Sequence, residues 1–314
     1  MKLIIQIPCY NESETLEQTI SSLPTSIAGI ETIEILVIDD GSTDGTPNVA
    51  KSAGAHHVFV LPVHQGLAKA FSAGLKYSVK LGADIIVNTD ADNQYKPEYI
   101  EKLIQPILNN TADMVIGCRP IQEISHFSTF KKYLQRLGSR TVRFLTGIEV
   151  PDATSGFRAY SRTAAKRLRI FSDFTYTVET LLQASRLNFH IVSIPVDINP
   201  PTRPSRLFGS NWSYIRKQMG TMFRIWSMYS PYKLFSRSGT VSLLLGLALF
   251  LRFLVYYFIS WPEPSGKVQS LIIAAVFLIF GVFLILIGVI ADLIAVNRRL
   301  MEDVLDSIDS DNEG

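Results

Sequence analysis

Three short polar motifs break up the first part of the chain, and each directly follows an apolar run: Pro8-Cys9-Tyr10-Asn11-Glu12, Asp39-Asp40-Gly41-Ser42-Thr43-Asp44-Gly45-Thr46, and Asp90-Ala91-Asp92-Asn93-Gln94. In an extended segment Asp90 and Asp92 project from the same side, and Gln94 continues the row. Oxygen donors in such a row suit a hard divalent cation, Mg2+ or Mn2+, which would also hold phosphate oxygens. A diphosphate leaving group gathers negative charge as its bond breaks, and a cation offsets that charge without needing a proton. Alone, two aspartates spaced like this make an ordinary acidic turn; three acid-rich motifs together make the metal reading the stronger one. Asp39 and Asp40 end an apolar run in a glycine-containing turn, where a carboxylate can accept from a base N–H or a ribose hydroxyl. Asp44 and Thr46 read as turn and helix-cap residues.

Phosphate-binding cations are also in place. Arg119 follows an apolar run. Lys131, Lys132, Arg136, Arg140 and Arg143 lie in a helical pattern over 127–146, the last four forming one stripe. Such a stripe is as often a solvated face as a surface for anionic lipid or an acceptor phosphate. Arg203 and Arg206 belong to a proline-rich loop and are placed to close over a site as a lid. Asp152 and Glu179 are the carboxylates available as a general base, should the acceptor be a hydroxyl.

The elements that must position these groups alternate. Apolar runs predict strands at 3–7, 33–38, 57–61, 85–89 and 114–117, and helical patterns fall at 14–22, 46–52, 67–80 and 97–109. Further strands are expected near 156–160 and 190–196, with a helix near 175–186. The alternation predicts an α/β domain with a mainly parallel sheet and right-handed crossovers. In such a sheet ligands bind outside the carboxyl ends of the strands, which is where the three motifs fall. The apolar run at 1–7 ends at Pro8, too short for a secretory signal, and reads as the first strand. Two cysteines, Cys9 and Cys118, are too few for a disulfide framework and fit a reducing compartment.

Composition adds a membrane. The chain is 47% hydrophobic, and the excess lies after Ser238. Two apolar stretches, 238–261 with the single charge Arg252 and 268–294 with no charge before Asp292, each span about 36 Å or more, enough for a hydrocarbon core. Arg224, Lys233 and Arg237 precede the pair and Arg298 and Arg299 follow it, while the link carries only Lys267 beside Glu263. That bias puts both termini and the catalytic domain on the cytoplasmic side. Residues 210–237 mix Trp212, Tyr214, Trp226 and Tyr229 with Arg216, Lys217 and Arg224, the composition of interfacial helices. The segment 298–314 is an acidic tail, expected to be solvated and frayed; against a chain total of +2, residues 1–300 carry +8. A basic body beside an apolar anchor points to phosphates and membrane lipids as partners and not to nucleic acid, and Arg252 makes a homo-oligomer plausible.

These motifs, with His64-Gln65-Gly66-Leu67-Ala68-Lys69-Ala70 and Asp152-Ala153-Thr154-Ser155-Gly156-Phe157-Arg158, resemble family 2 glycosyltransferases of GT-A fold, and most closely the dolichyl- and polyprenyl-phosphate sugar synthases. The resemblance covers roughly residues 1–210. It implies a Rossmann-like GT-A domain over 1–209, then juxtamembrane helices over 210–237, two membrane helices within 238–297 and a cytoplasmic tail over 298–314. It implies that Pro8, Tyr10, Glu12, Ile38, Asp39, Asp40 and Ala91 hold the nucleotide of a nucleotide-sugar donor, and that Asp90, Asp92 and Gln94 hold Mg2+ or Mn2+. Arg119 and Lys131 would approach the phosphate of a polyprenyl-phosphate acceptor, Arg203 and Arg206 the donor diphosphate, and Ser155-Gly156-Phe157-Arg158 would form the acceptor-side motif. The expected reaction is inverting, metal-dependent transfer of a sugar from a UDP- or GDP-sugar to the lipid phosphate. Two other readings stand beside it: transfer to a hydroxyl acceptor such as diacylglycerol or a lipid-linked sugar, and a non-catalytic component that binds nucleotide-sugar or carrier lipid. The Q-x-x-R-W signature of polysaccharide synthases is absent.

Overall fold

In the computed structural model, the apolar runs of the first part of the chain become strands buried on both faces, the pattern of a sheet covered by helices. The structure describes residues 1–120, 138–140, 142–143, 146–170, 176–200, 220, 231–259 and 268–311, the side chains of 298, 299, 302, 303 and 305–311 excepted. The chain divides into two units, Met1–Ile215 and Arg216–Gly314.

In the first unit, elements follow in the order β1 (Lys2–Cys9), α1 (Leu16–Ser22), β2 (Thr32–Asp39), α2 (Thr46–Ser52), β3 (His57–Val60), α3 (Leu67–Lys80), β4 (Ile85–Asn88), α4 (Tyr99–Leu108), β5 (Met114–Cys118), β6 (Arg158–Ser161), α5 (Arg162–Arg167), α6 (Thr177–Arg186) and β7 (Ile191–Pro195). They form a seven-stranded sheet in the order β3-β2-β1-β4-β6-β5-β7. Every neighbouring pair is parallel except those made by β6, which runs antiparallel to both β4 and β5. This reversal positions the site. Asn88, the last residue of β4, is level with Arg158, the first of β6. The segment leading into β6 therefore reaches the same sheet edge as the carboxyl ends of β1, β2, β4 and β5.

The helices bury one stripe each. Leu103, Ile104 and Ile107 of α4, with Leu16 and Ile20 of α1, enter a core that also holds Ile5, Ile7 and Val87 from the strands. The helix expected to begin at Pro97 begins at Tyr99, because the first bonds, Tyr99 N–H to Lys96 and Ile100 N–H to Pro97, close tighter turns than an α-helix. Helix α3 crosses β1 and β2 so closely at Gly74 that a Cβ there would lie 2.6 Å from Gln6 Oε1 and 2.8 Å from Ile38 Cδ1.

The second unit contains α7 (Pro231–Ile259) and α8 (Val268–Asp311), both long and apolar enough to cross a membrane. They pack antiparallel along a small-residue seam. On α8 the buried positions Ala274, Gly281, Gly288 and Ala295 recur every seven residues, and on α7 Gly239, Ser242 and Gly246 face them. A Cβ on Gly239 would lie 2.7 Å from the Gly281 carbonyl, and Ser242 Oγ donates to the Phe277 carbonyl at 2.8 Å. The outward faces are bare hydrocarbon: Phe258 is 71% and Ile279 70% exposed. The tail expected to fray instead continues α8 to Asp311. Helix once nucleated extends at little cost, and the long apolar stretch supplies the nucleus.

Two outcomes follow for stability. Gly→Ala in a helix interior ordinarily gains about 1 kcal/mol, but at position 74 the methyl meets Gln6 and Ile38, and overpacking costs about 1–3 kcal/mol. Gly74→Ala is expected to lower the thermal midpoint of the full chain in detergent, not raise it. Glu34 Oε2 lies 2.8 Å from both Lys2 Nζ and His57 Nε2, tying β1, β2 and β3 together. Burial pushes its carboxyl upward, but the hydrogen bonds from Lys2 and His57 prevail and hold it below its ordinary value. A depressed folded-state value gives stability that is present above the unfolded pKa of about 4.3 and is lost as pH falls through the folded one. Glu34→Gln should therefore cost about 1 kcal/mol or less at pH 6 and progressively less as pH falls below about 4, measured by denaturant midpoints.

Candidate active site

All the predicted motifs of the first unit that lie among the described residues meet at one sheet edge, but the structure divides their tasks differently from the sequence. The Asp40 carboxylate is an anchor. Its oxygens accept from the backbone N–H groups of Gln65 and Gly66 at 2.8 Å each, and Oδ2 also lies 2.8 Å from His64 Nδ1. The 64–66 loop can come this close because residue 41 is glycine: its φ is +72°, and a Cβ there would stand 2.8 Å from His64 N. Anchored in this way, the exposed His64 ring stacks on the exposed Tyr10 ring, with centroids 3.8 Å apart and planes 24° apart. The pair forms an aromatic shelf beside the end of β2; the sequence placed His64 in a motif but gave it no role of its own.

Asp39 is fully buried; one oxygen accepts from Ser42 N–H at 3.0 Å and Oδ1 has no hydrogen-bond partner among the described residues. Pro8 and Ile38 are buried within their strands, so only their backbone can serve a ligand. The Ala91 carbonyl is taken by Thr15 and Thr19, whose hydroxyls both donate to it at 2.9 Å. Glu12 accepts from the Thr15 hydroxyl at 3.2 Å and gives its own N–H to Thr46 Oγ1 at 3.0 Å.

The acidic row is a turn, not an extended strand. Asn93 is left-handed at φ 56°, and Gln94 N–H donates back to Asp92 Oδ1 at 3.2 Å. The turn still brings Asp90 and Asp92 into electrostatic contact. Burial, then the charge of Asp92, pushes the Asp90 carboxyl up to about 7; Arg119 pulls it down and Glu12 adds to the rise. Asp90 lies against the bare Cα of Gly156, where a Cβ would stand 3.0 and 3.3 Å from its two oxygens. No described residue donates a hydrogen bond to it. A carboxylate held near others without hydrogen-bond donors, in a cradle with no room for a methyl, fits a hard divalent cation. Among the described residues no three His, Cys, Asp or Glu side chains converge as a complete cage, so a cation here would draw further oxygens from a phosphate ligand and water, as Mg2+ commonly does.

Arg119 continues β5 into the edge and forms a two-pronged pair with Asp152: Nε to Oδ2 at 2.6 Å and Nη2 to Oδ1 at 3.1 Å, with Thr154 Oγ1 also accepting from Nη2 at 3.1 Å. Asp152 is fully buried and also accepts from the N–H and hydroxyl of Thr154. Burial raises its carboxyl, but Arg119 outweighs this and holds it below the ordinary range. The pair leaves Nη1 of Arg119 uncommitted among these bonds. Arg158, expected on the acceptor side, is wholly buried instead. Its guanidinium donates to the carbonyls of Ala153, Ser155 and Thr177 and to the Thr180 hydroxyl at 2.7–2.8 Å, fixing the loop before β6 to α6. Glu179 is also buried, 1% exposed, in α6. Lys131, Lys132, Arg136, Arg203 and Arg206 lie outside the described residues, as do most of 127–146 and 210–230.

Sequence reasoning also missed a polar set beneath Asp90. Asn88 Nδ2 donates to the Gly156 carbonyl at 2.8 Å and to Tyr176 Oη at 3.0 Å, and Gly156 N–H donates to Tyr95 Oη at 3.3 Å. The one available signal was Gly156 within its motif.

The chain is 30% identical over 206 residues to the undecaprenyl-phosphate mannosyltransferase of Micrococcus luteus, covering 62% of this chain and 83% of that one. It is 27% identical over 312 residues to the undecaprenyl-phosphate 4-deoxy-4-formamido-L-arabinose transferase of Klebsiella pneumoniae, covering 96% and 90%. Its fold matches, with a TM-score of 0.56, the crystal structure of glucosyl-3-phosphoglycerate synthase from Mycobacterium tuberculosis in complex with Mn2+, UDP-glucose and phosphoglyceric acid, at 21% identity over 71% of this chain and 79% of that one. The family model described as glycosyl transferase family 2 matches residues 4–169, slightly more than half of the sequence. The chain therefore belongs to glycosyl transferase family 2.

Proposed function

We propose that this glycosyltransferase moves a sugar from a UDP- or GDP-sugar to a polyprenyl phosphate, with inversion at the anomeric carbon and with Mg2+ or Mn2+, at the cytoplasmic face of a membrane. The observation that carries this reading is the electrostatic coupling of Asp90 to Asp92 at the sheet edge, with Asp90 against Gly156 and within the field of Arg119. The two relatives are named for undecaprenyl phosphate, and the structural neighbour was crystallised with Mn2+ and UDP-glucose. The two apolar helices support a membrane setting.

On this reading the Tyr10–His64 shelf and the Asp39 end of β2 take the nucleoside, which leaves the diphosphate over Asp90 and Asp92. Those two carboxylates, with Gln94, would hold the cation, whose contribution is to offset the charge of the departing diphosphate. Arg119, clamped by Asp152, presents its remaining edge to an anionic acceptor and steadies it in line with the anomeric carbon. Lys131, Arg203 and Arg206 would supply further phosphate contacts. A phosphate monoester is largely ionised at neutral pH, its second pKa being about 6, so no side chain has to remove a proton. Two observations support that reading. Asp152 is occupied by Arg119 and Thr154, and Glu179 is buried in a helix, so neither is free to act as base for a hydroxyl acceptor.

The test offers the full chain in detergent a panel of labelled UDP- and GDP-sugars with polyprenyl phosphate, and counts label extracted into organic solvent. One donor should label the lipid. EDTA should stop transfer, and added Mg2+ or Mn2+ should restore it. Asp90→Asn and Asp92→Asn should each lower turnover on the order of 100-fold or more. Turnover indifferent to EDTA and to both substitutions would overturn the cation assignment, and label reaching only a hydroxyl lipid would overturn the acceptor assignment.

A further inference from the structure

Behind Asp90 lies a buried tyrosine that none of the roles above employs. Tyr176 is 1% exposed, and its ring lies flat on Phe71, with centroids 3.7 Å apart and planes 6° apart. That stacking fixes the ring plane, and Asn88 fixes its end by donating to Oη at 3.0 Å. Asn88 is itself held: its Oδ1 accepts from Gln6 Nε2 at 2.9 Å, and its amide also donates to the Gly156 carbonyl at 2.8 Å. A hydroxyl that accepts from Asn88 still has its own proton to give, and no described residue lies within hydrogen-bonding reach to take it. The place where a Gly156 Cβ would stand is 2.8 Å from Tyr176 Oη and 3.0 and 3.3 Å from the two oxygens of Asp90. Hydroxyl and carboxylate therefore border one small space, no wider than a single bridging water.

We propose that Tyr176 and Gly156 are positioning residues for Asp90. The Tyr176 hydroxyl directs its proton at the carboxylate through one water, and Gly156 keeps open the space in which this happens. Together they hold one face of Asp90 so that the other is turned to the cation. The inference rests on the reading of Asp90 and Asp92 as cation ligands. It assigns the outer support of that site to a residue well separated in sequence from the acidic motif.

Direct binding of Mn2+ to the full chain in detergent, read by electron paramagnetic resonance without donor or acceptor, tests the proposal. Tyr176→Phe keeps the ring on Phe71 and removes only the oxygen. It should weaken Mn2+ binding about 10–100-fold, the usual loss when a supporting partner of a metal ligand is removed, with the thermal midpoint within about 4 °C of the parent. Gly156→Ala fills the shared space and should weaken binding similarly. Because both act on the same gap, the double variant should lose less than the product of the single losses. If both variants bind Mn2+ as the parent does while Asp90→Asn does not, the positioning role is wrong and the ligand assignment stands. If the parent binds no better than Asp90→Asn and Asp92→Asn, both fall together.

Discussion

Asp90 sits partly enclosed beside Asp92 and Glu12, where negative charge is expensive, and much of the polar interior is explained by what keeps it there. A carboxylate in such a place would relax into solvent unless its surroundings were rigid. Rigidity comes from the loop before β6. Arg158 is buried without a carboxylate partner among its hydrogen bonds, an arrangement costing several kcal/mol in desolvation, offset by bonds to three carbonyls and a hydroxyl. That investment makes no direct contact with a ligand. It fixes the loop that carries Asp152, which orients Arg119, and Gly156, against which Asp90 rests. The reversed direction of β6 is what delivers this loop to the edge where the parallel strands end.

The alternation of apolar runs and helical patterns was enough to place the seven strands and five of the helices of the first unit to within a few residues, because buried strands and one-sided helices leave strong periodic signals; the short helix α5 (Arg162–Arg167) was not foreseen. The same signals put all the acid-rich motifs at one edge. The sequence could not say which carboxylates face a ligand. Asp39 and Asp40 are neighbours of the same type, yet one is a capped anchor for the 64–66 loop and the other has a buried oxygen without a hydrogen-bond partner among the described residues. Arg158 resembled a ligand-binding cation by motif and proved structural, since burial depends on what α6 brings from elsewhere in the chain. Tyr176 carries no local signature, and its partners Phe71, Asn88 and Gly156 come together only through the order of the strands. The acidic row became a turn because Asn93 accepts the left-handed conformation more readily than most residues.

Among the described residues the site brings together an acidic pair, Asp90 and Asp92, and an arginine, Arg119, held by its own carboxylate. Membership of glycosyl transferase family 2 supplies the class of reaction, and the pairing of Asp152 and burial of Glu179 are what the proposed acceptor chemistry draws on. The two features are independent, one being drawn from the whole domain and the other from individual hydrogen bonds.

The seam between α7 and α8 has a mechanical consequence. Glycines at 239, 246 and 281 meet the opposing helix so closely that a single added carbon would touch backbone or Leu side chains at 2.7–3.0 Å. Two rods meshed this tightly cannot ratchet past each other by a turn without driving leucine into main chain. At these positions the seam leaves no room for a further group. The pair is therefore stiff at its seam, and its exposed apolar side chains, Phe258 and Ile279 among them, are the surface it offers to hydrocarbon.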